Sequence, residues 1–486
     1  MTKYLMFQGT SSHVGKSILT TALCRIFFRE GRRVAPFKAQ NMALNSFVTA
    51  DGLEMGRAQV AQAEAAGLAP RVEMNPVLLK PTGNQTSQVI INGKPVGVMS
   101  AAEYHQGYSL KAFDAVKAAL EKLSAEFDTI VIEGAGSPAE VNLKDNDIVN
   151  MRVAKHLNAP VILVADIDRG GCLASIVGTL ELLDDDEREL VKGLIINKFR
   201  GDVNLFLPAV EFLERKTQKP VLGIIPHIDK LGIDDEDSVS LDDKISSDGE
   251  ISIAVIRLGK LSNFTDFDSL AGESDVRLFY AVNPDELDAA DVIILPGSKN
   301  TSEDLIYLRE SGLVKKILQR HVDGAAIVGI CGGFQMLGRK IFDPLKTESN
   351  HAELDGLKLL PIETTFNPEK FTRQVTVPEI NFEFLGSQIT SENLDGYEIH
   401  SGETTNLGDK KIISAGNVFG TYVHGIFDND DFRRKFLNAV RRKKNLPPLE
   451  KIRNFRAEKQ KNYERLARIV RENLNMELLE KIMATS

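Results

Sequence analysis

Short, unbroken apolar runs alternate with stretches of helical period over roughly the first half of the chain. Tyr4-Leu5-Met6-Phe7, Thr129-Ile130-Val131-Ile132, Val161-Ile162-Leu163-Val164 and Gly193-Leu194-Ile195-Ile196 read as strands. Such runs lack the in-out alternation of a half-exposed sheet, so they predict parallel strands covered on both faces. Ser17 to Glu30 and Leu110 to Phe127 carry apolar residues at helical spacing. Strand and helix in alternation predict an α/β layer fold. The pattern breaks at Asp234-Asp235-Glu236-Asp237 and Ser246-Ser247-Asp248-Gly249, which are acidic and rich in turn formers. That predicts a linker over 234–250. A second α/β series follows, with strands at Ile251 to Leu258, Val292 to Leu295 and Ala326 to Ile330. Beyond Asp430 the chain is charged and helical in pattern; Leu446-Pro447-Pro448 interrupts it, and Lys451 to Met483 reads as one or two helices. The predicted domains are 1–233, 251–445 and a helical extension at 446–486.

Composition narrows the function. A length of 486 residues suits two or three domains, and 43% hydrophobic residues suffice for ordinary cores. Trp is absent, aromatics are 7%, and the net charge is −9. Neither the stacking platform nor the basic footprint of a nucleic-acid binder is present, so no nucleic-acid partner is expected. Cys24, Cys172 and Cys331 are too scattered for a zinc site or a disulfide framework, which fits a reducing cytoplasm. The start runs directly into a strand with no signal-peptide pattern. No apolar run approaches the roughly 18 residues of a membrane span.

Two segments carry chemistry. Gly9-Thr10-Ser11-Ser12-His13-Val14-Gly15-Lys16-Ser17 follows a strand and opens a helix, the setting of a phosphate-binding loop. Its glycines let the backbone approach, and its N–H groups and the helix N-terminus favour an anion. The loop, with Gly9, Thr10 and Gly15, would hold ATP. Lys16 would reach the β- and γ-phosphates and Ser17 would ligate Mg²⁺. The loop has one residue more between its glycines than the usual pattern. Glu133 ends a strand at the same sheet edge and is a candidate Mg²⁺ ligand or water-orienting group. Lys38, after Val34 to Phe37, either points at phosphate or is a solvated lysine.

The second segment, Ile327-Val328-Gly329-Ile330-Cys331-Gly332-Gly333-Phe334-Gln335, reads strand, tight turn, helix. It resembles the strained elbow of nucleophilic hydrolases with Cys in place of Ser. The helix that follows favours a thiolate, and the Gly332 N–H can bind an oxyanion. His424, in Thr421-Tyr422-Val423-His424-Gly425, is the candidate base. Gly297, in Leu295-Pro296-Gly297-Ser298, is a second oxyanion donor. Cys24 and Cys172 lack such surroundings and read as inert.

With both segments in view, the chain resembles the cobyric acid synthase family of cobyrinate-type glutamine amidotransferases. The resemblance rests on Pro36-Phe37-Lys38-Ala39-Gln40-Asn41-Met42, Gly56-Arg57-Ala58-Gln59, Met74-Asn75-Pro76-Val77-Leu78-Leu79-Lys80-Pro81, Glu133-Gly134-Ala135-Gly136-Ser137-Pro138, Asp166-Ile167-Asp168-Arg169-Gly170-Gly171, Asn197-Lys198-Phe199-Arg200-Gly201-Asp202, Pro296-Gly297-Ser298-Lys299-Asn300-Thr301 and Tyr397-Glu398-Ile399-His400. The loop with its extra residue is similar to that of dethiobiotin synthetase, which also activates a carboxylate with ATP. The resemblance implies an N-terminal P-loop domain of dethiobiotin-synthetase type and a C-terminal class I glutamine amidotransferase-like domain. It implies ATP, Mg²⁺ and glutamine, and as substrate a corrinoid, adenosylcobyrinic acid a,c-diamide, amidated at b, d, e and g. Cys331 would attack glutamine. Triad amidotransferases often place Glu two residues after the His; here that position is Ile426, so the third member is absent or supplied elsewhere. His400 lies in a family motif with its role open.

Donors for a polycarboxylate are sought near the phosphate loop: Asn41, Asn45, Lys80, Arg152, Arg169 and Arg200, with Asp147 and Asp168 as metal or orienting groups. Competing readings are a cobyrinic acid a,c-diamide synthase, a partitioning-type P-loop ATPase, and an inactive scaffold. Oligomeric state is left open, a homo-oligomer included.

Overall fold

A computed structural model describes residues 2–83, 85–229, 231–233 and 248–484. Most of the expected linker, 234–247, lies outside the described residues. Two compact units form. The first comprises Met1–Met42, Glu54–Ile233 and Glu458–Ser486; the second comprises Ala43–Leu53 and Asp234–Ala457.

The first unit is built on a six-stranded sheet. Its order is Val221–Pro226, Val191–Phe199, Val161–Asp166, Lys3–Gly9, Thr129–Glu133, Val34–Phe37. Every neighbouring pair is parallel. The four expected strands are all present, each longer by one to five residues than its apolar run. The parallel ladder forces helical crossovers, which cover both faces and explain the missing alternation. Lys3–Gly9 sits between two strands that lie far off in sequence, so its C-terminal end opens at a crevice. The helix Lys16–Arg29 starts there and buries Leu19, Leu23, Ile26 and Phe27 against the sheet. A smaller four-stranded sheet joins Gln40–Met42, Val77–Pro81, Thr86–Ile91 and Lys94–Ser100.

The terminal helices Phe455–Glu472 and Met476–Met483 do not form a separate extension. From Glu458 onward they pack on the first unit, where Tyr463, Leu466, Val470 and Leu479 join the core of Leu5, Phe7 and Val131. Each fully buried side chain of this kind contributes about 1.5–3 kcal/mol. Glu64 accepts from Tyr463 Oη at 2.8 Å and pairs with Lys459 at 2.8 Å.

The second unit has its own six-stranded sheet in the order Val276–Ala281, Ile251–Ile256, Val292–Leu295, Ala326–Ile330, Val418–Thr421, Ile412–Ala415. The first five strands run parallel, and the last pairs antiparallel. A long antiparallel hairpin, Glu363–Phe384 with Ser387–Thr404, turns at Leu385 and Gly386, both at positive φ (53° and 68°). That is the backbone of a tight two-residue hairpin turn, made here by Leu-Gly rather than the usual Asn-Gly. The expected domain limits are thus corrected at two places. Residues 43–53 belong with the second unit, and the chain from Glu458 belongs with the first.

Candidate active sites

In the first unit the phosphate loop closes at the end of the central strand. Gly15 adopts φ 97°, and a β-carbon there would fall 2.1 Å from Asn197 Nδ2. Only glycine fits that left-handed conformation at that approach. Asn197 Nδ2 donates to Val14 O at 2.7 Å. Lys198, itself at φ 59°, bridges His13 O at 2.7 Å and Asp166 at 2.8 Å. Thr10 N–H donates to Val164 O at 2.9 Å. Gly9 lies so close to Lys16 that an added β-carbon would fall 2.8 Å from Nζ. Lys16 Nζ donates to Ser11 O and Gly136 O, both at 3.0 Å, so the ammonium lies over the loop.

Glu133 gathers three donors. Ser17 Oγ reaches Oε1 at 2.8 Å, Lys38 Nζ reaches the same oxygen at 2.8 Å, and Gln62 Nε2 reaches Oε2 at 2.5 Å. Glu133 and Lys38 are 1% and 3% exposed, so this is a desolvated pair in which each ion needs the other. Lys38 is therefore not a solvated lysine. The hydroxyl of Ser17 beside the carboxylate of Glu133 is a hard-oxygen donor set that fits Mg²⁺. No group of three or more His, Cys, Asp or Glu that could hold a metal occurs among the described residues. Phosphate oxygens and water would therefore supply the other ligands.

Beside this loop the first unit holds a cavity of about 670 Å³. Gln40, Met42, Tyr104, His105, Gly136, Asp147 and Arg152 are among the residues on its wall. Gly136 is shared with the Lys16 contact. His105 Nδ1 and Ser109 Oγ are buried without a hydrogen-bond partner among the described residues. Burial pushes the Asp147 carboxyl above its ordinary range, against the backbone N–H groups of Val149 and Asn150 that favour its charge.

The other expected substrate donors divide. Asn41 does not face the cavity: it is 2% exposed and its amide donates to Gln59 at 3.1 Å. Lys80 is tied to buried Glu54 at 2.9 Å. Arg169 is exposed on the turn after Val161–Asp166, and Arg200 pairs with Asp168 at 3.2 Å on the surface. Asn45 belongs to the second unit.

In the second unit Cys331 stands between Ala326–Ile330 and Gly332–Leu337 at φ 52°, ψ −109°. A non-glycine residue held there stores about 1–3 kcal/mol. Cys331 N–H donates to Thr421 O at 2.9 Å and Gln335 N–H to Cys331 O at 3.1 Å, which fix the bend. Gly333 permits it, since a β-carbon there would meet Leu295 O at 1.9 Å. The sulfur is buried and 3.4 Å from Ile399 O.

His424 is fully buried, bonds Asp266, and lies near enough to Cys331 for that side chain to act on its charge. Its Nδ1 lies 2.7 Å from Asp266 Oδ2, and Gly425 N–H holds Asp266 Oδ1 at 2.9 Å. Burial alone would lower the imidazole's pKa. The Asp266 charge and the Cys331 contact outweigh it and raise the value to about 10. Asp266 thus fills the place that Ile426 leaves vacant in the sequence pattern. Sequence reasoning missed it because it lies 158 positions upstream of its partner. The signal was an acid between two buried aromatics, Phe264 and Phe267.

Gly297 and Gly332 both border this centre. A β-carbon on Gly297 would fall 3.3 Å from His424 Cε1, and one on Gly332 would fall 2.9 Å from Ser298 N. His400 stacks on Tyr422 at 3.8 Å, and burial holds it down near a pKa of about 4, so it is neutral at ordinary pH. The Cys24 thiol is pushed up by burial, and Cys172 to about 11, which leaves both unreactive.

Comparison with known proteins agrees with both halves. Residues 5–240 match the CobQ/CobB/MinD/ParA nucleotide binding domain, and residues 252–432 match the CobB/CobQ-like glutamine amidotransferase domain. A nucleotide loop and a Cys–His–Asp centre in one chain define a glutamine-hydrolysing, ATP-dependent amidoligase. The cobyric acid synthase of Carboxydothermus hydrogenoformans is 51% identical over 99% of this chain and 100% of its own length. That of Pelotomaculum thermopropionicum is 51% identical over 100% and 96%, and that of Moorella thermoacetica 50% over 99% and 98%. The chain belongs to the cobyric acid synthase family.

Proposed function

We propose that this chain amidates the b, d, e and g carboxylates of adenosylcobyrinic acid a,c-diamide, with nitrogen from glutamine and energy from ATP and Mg²⁺. The observation that carries the nitrogen half is the buried Asp266–His424 pair together with Cys331 held in its strained bend. Cys331 attacks the side-chain amide of glutamine. His424, which already holds the proton at neutral pH, delivers it to the departing ammonia, and Asp266 holds the ring in the required orientation. The glutamyl thioester is then hydrolysed. The N–H groups of Gly297 and Gly332 would receive the oxyanion.

A carboxylate resists attack because it is negative and has no good leaving group. Phosphorylation by ATP converts it to an acyl phosphate, which ammonia displaces. Lys16 spreads the charge of the γ-phosphate. Ser17 and Glu133 would hold Mg²⁺, which supplies charge neutralisation on the phosphates. The cavity walled by Tyr104, His105, Asp147 and Arg152 is the place for the acid, and its unpartnered His105 and Ser109 suit a polar guest. Asp147, on the same wall, would meet the corrinoid edge.

The reaction is tested by incubating the full chain with ATP, Mg²⁺, glutamine and the corrinoid diamide and weighing the corrinoid. Amidation at all of b, d, e and g is expected. An unchanged corrinoid would refute the proposal. The rival diamide synthase would instead act on the a and c acids of the unamidated precursor. The same incubation excludes an inactive scaffold if glutamate is released.

A further inference from the structure

Residues 43–53 leave the first unit after Met42 and return to it at Glu54, yet they group with the second. Their contacts converge on the catalytic histidine. Ser46 N–H donates to Asn263 Oδ1 at 3.0 Å. The other end of that amide, Nδ2, lies 3.4 Å from His424 Nδ1 and 3.3 Å from Nε2, against the imidazole. Ser46 O accepts from Tyr397 Oη at 3.1 Å. The Tyr397 ring stacks on His424 with centroids 5.2 Å apart and planes 19° apart. Asn45 Oδ1 accepts from Phe264 N–H at 2.9 Å, at the start of the turn that carries Asp266. Phe47 meets Tyr397 edge-on at 5.1 Å. Val48 packs with Tyr397 and Ile399, and the Ile399 carbonyl lies 3.4 Å from the Cys331 sulfur.

Both neighbours that flank the imidazole, and the turn that bears its acid, are thus tied to residues 45–47. Asn263 needs that support: it is a non-glycine residue at φ 54° with its side chain 2% exposed. Asn45, Ser46 and Asn263 are all 1–2% exposed, so their bonds are made in a dry setting where a lost partner leaves an unsatisfied group. Phe47, Tyr397 and Val48 lock the same strip by packing.

We infer that Asn45, Ser46 and Tyr397 are positioning residues for the glutaminase step, holding His424 through Asn263, Phe264 and the stacked ring. This rests on the glutaminase reading proposed above. It assigns to a strip of the N-terminal sequence a task in the C-terminal chemistry. Since the strip is continuous with Gln40 and Met42, which wall the cavity, the sequence that frames the acceptor also frames the base.

The test uses the full chain with Asn45→Ala and, separately, Tyr397→Phe, which keeps the ring on His424. Glutamate release is measured as kcat and KM apart, and ATP-dependent amidation is measured with ammonium in place of glutamine. A base shifted by a fraction of an ångström predicts a kcat for glutamine lower by about 10- to 100-fold for Asn45→Ala. A smaller loss of the same kind is expected for Tyr397→Phe. KM for glutamine and the ammonium-driven rate stay near those of the parent. Unchanged kcat in both variants, or a parallel fall with both nitrogen donors, would overturn the inference. Should Asn45→Ala fold poorly, Tyr397→Phe alone decides. If the parent hydrolyses glutamine but never amidates the corrinoid, the proposed function fails and the glutaminase arm still judges this inference.

Discussion

His424 is fully buried yet its pKa is raised, a combination that needs a fixed negative partner. Asp266 is that partner, and the pair has a signature in pH. A group whose folded pKa lies above its unfolded one stabilises most below the unfolded value and least above the folded one. The contribution of the pair is therefore complete below about pH 6.5 and fades as pH rises through about 10. Asp266→Asn should lower the melting temperature markedly near pH 6, with the gap to the parent closing toward pH 10; thermal melts across that range check it. The same variant should reduce glutamine-dependent kcat by about a hundredfold or more, since the ring loses both orientation and its counter-charge. A pH-independent difference in melting would contradict the pairing. On the nucleotide side, Lys16→Ala should abolish amidation with either nitrogen donor while glutamate release persists. Normal ammonium-driven amidation in that variant would remove Lys16 from the reaction.

At the scale of elements, the elbow depends on close contact between strand and helix. Gly333 lies against Leu295 O, so Gly333→Ala should destabilise the second unit by about 3 kcal/mol through overpacking and displace the sulfur. Chemical denaturation monitored in parallel with glutaminase activity measures both effects. These elements were legible because local physics writes them plainly. Val292–Leu295 and Ala326–Ile330 appear with the predicted ends, since both are buried runs bounded by turn residues. The phosphate loop and the elbow were readable for the same reason: each is a contiguous segment whose glycines answer a local steric need. The hairpin Glu363–Phe384 was not legible, because its outer face alternates irregularly with charge and its turn lacks the common signature. Asp266 and Asn263 were not legible either, because a partner fixed by tertiary packing leaves no mark in spacing. Lys38 and Glu133 could each be named from their strands, but only the fold shows that they form one buried pair.

Across the whole molecule, the account assigns nitrogen release to one compact unit and carboxylate activation to the other, with a single strip of chain, 43–53, belonging by sequence to the first and by packing to the second. Sequence reasoning placed both chemistries correctly in order along the chain and missed the two excursions, since a chain that crosses between units keeps its ordinary local pattern. Assignment to separate units makes the two half-reactions separable. The most direct test is Cys331→Ala in the full chain, with the corrinoid weighed after incubation with ATP and either glutamine or ammonium. The account predicts that ammonium still drives amidation at a rate close to the parent's while glutamine supports none. Amidation sustained by glutamine without the Cys331 sulfur would contradict it, as would the loss of ammonium-driven amidation in a variant that remains folded.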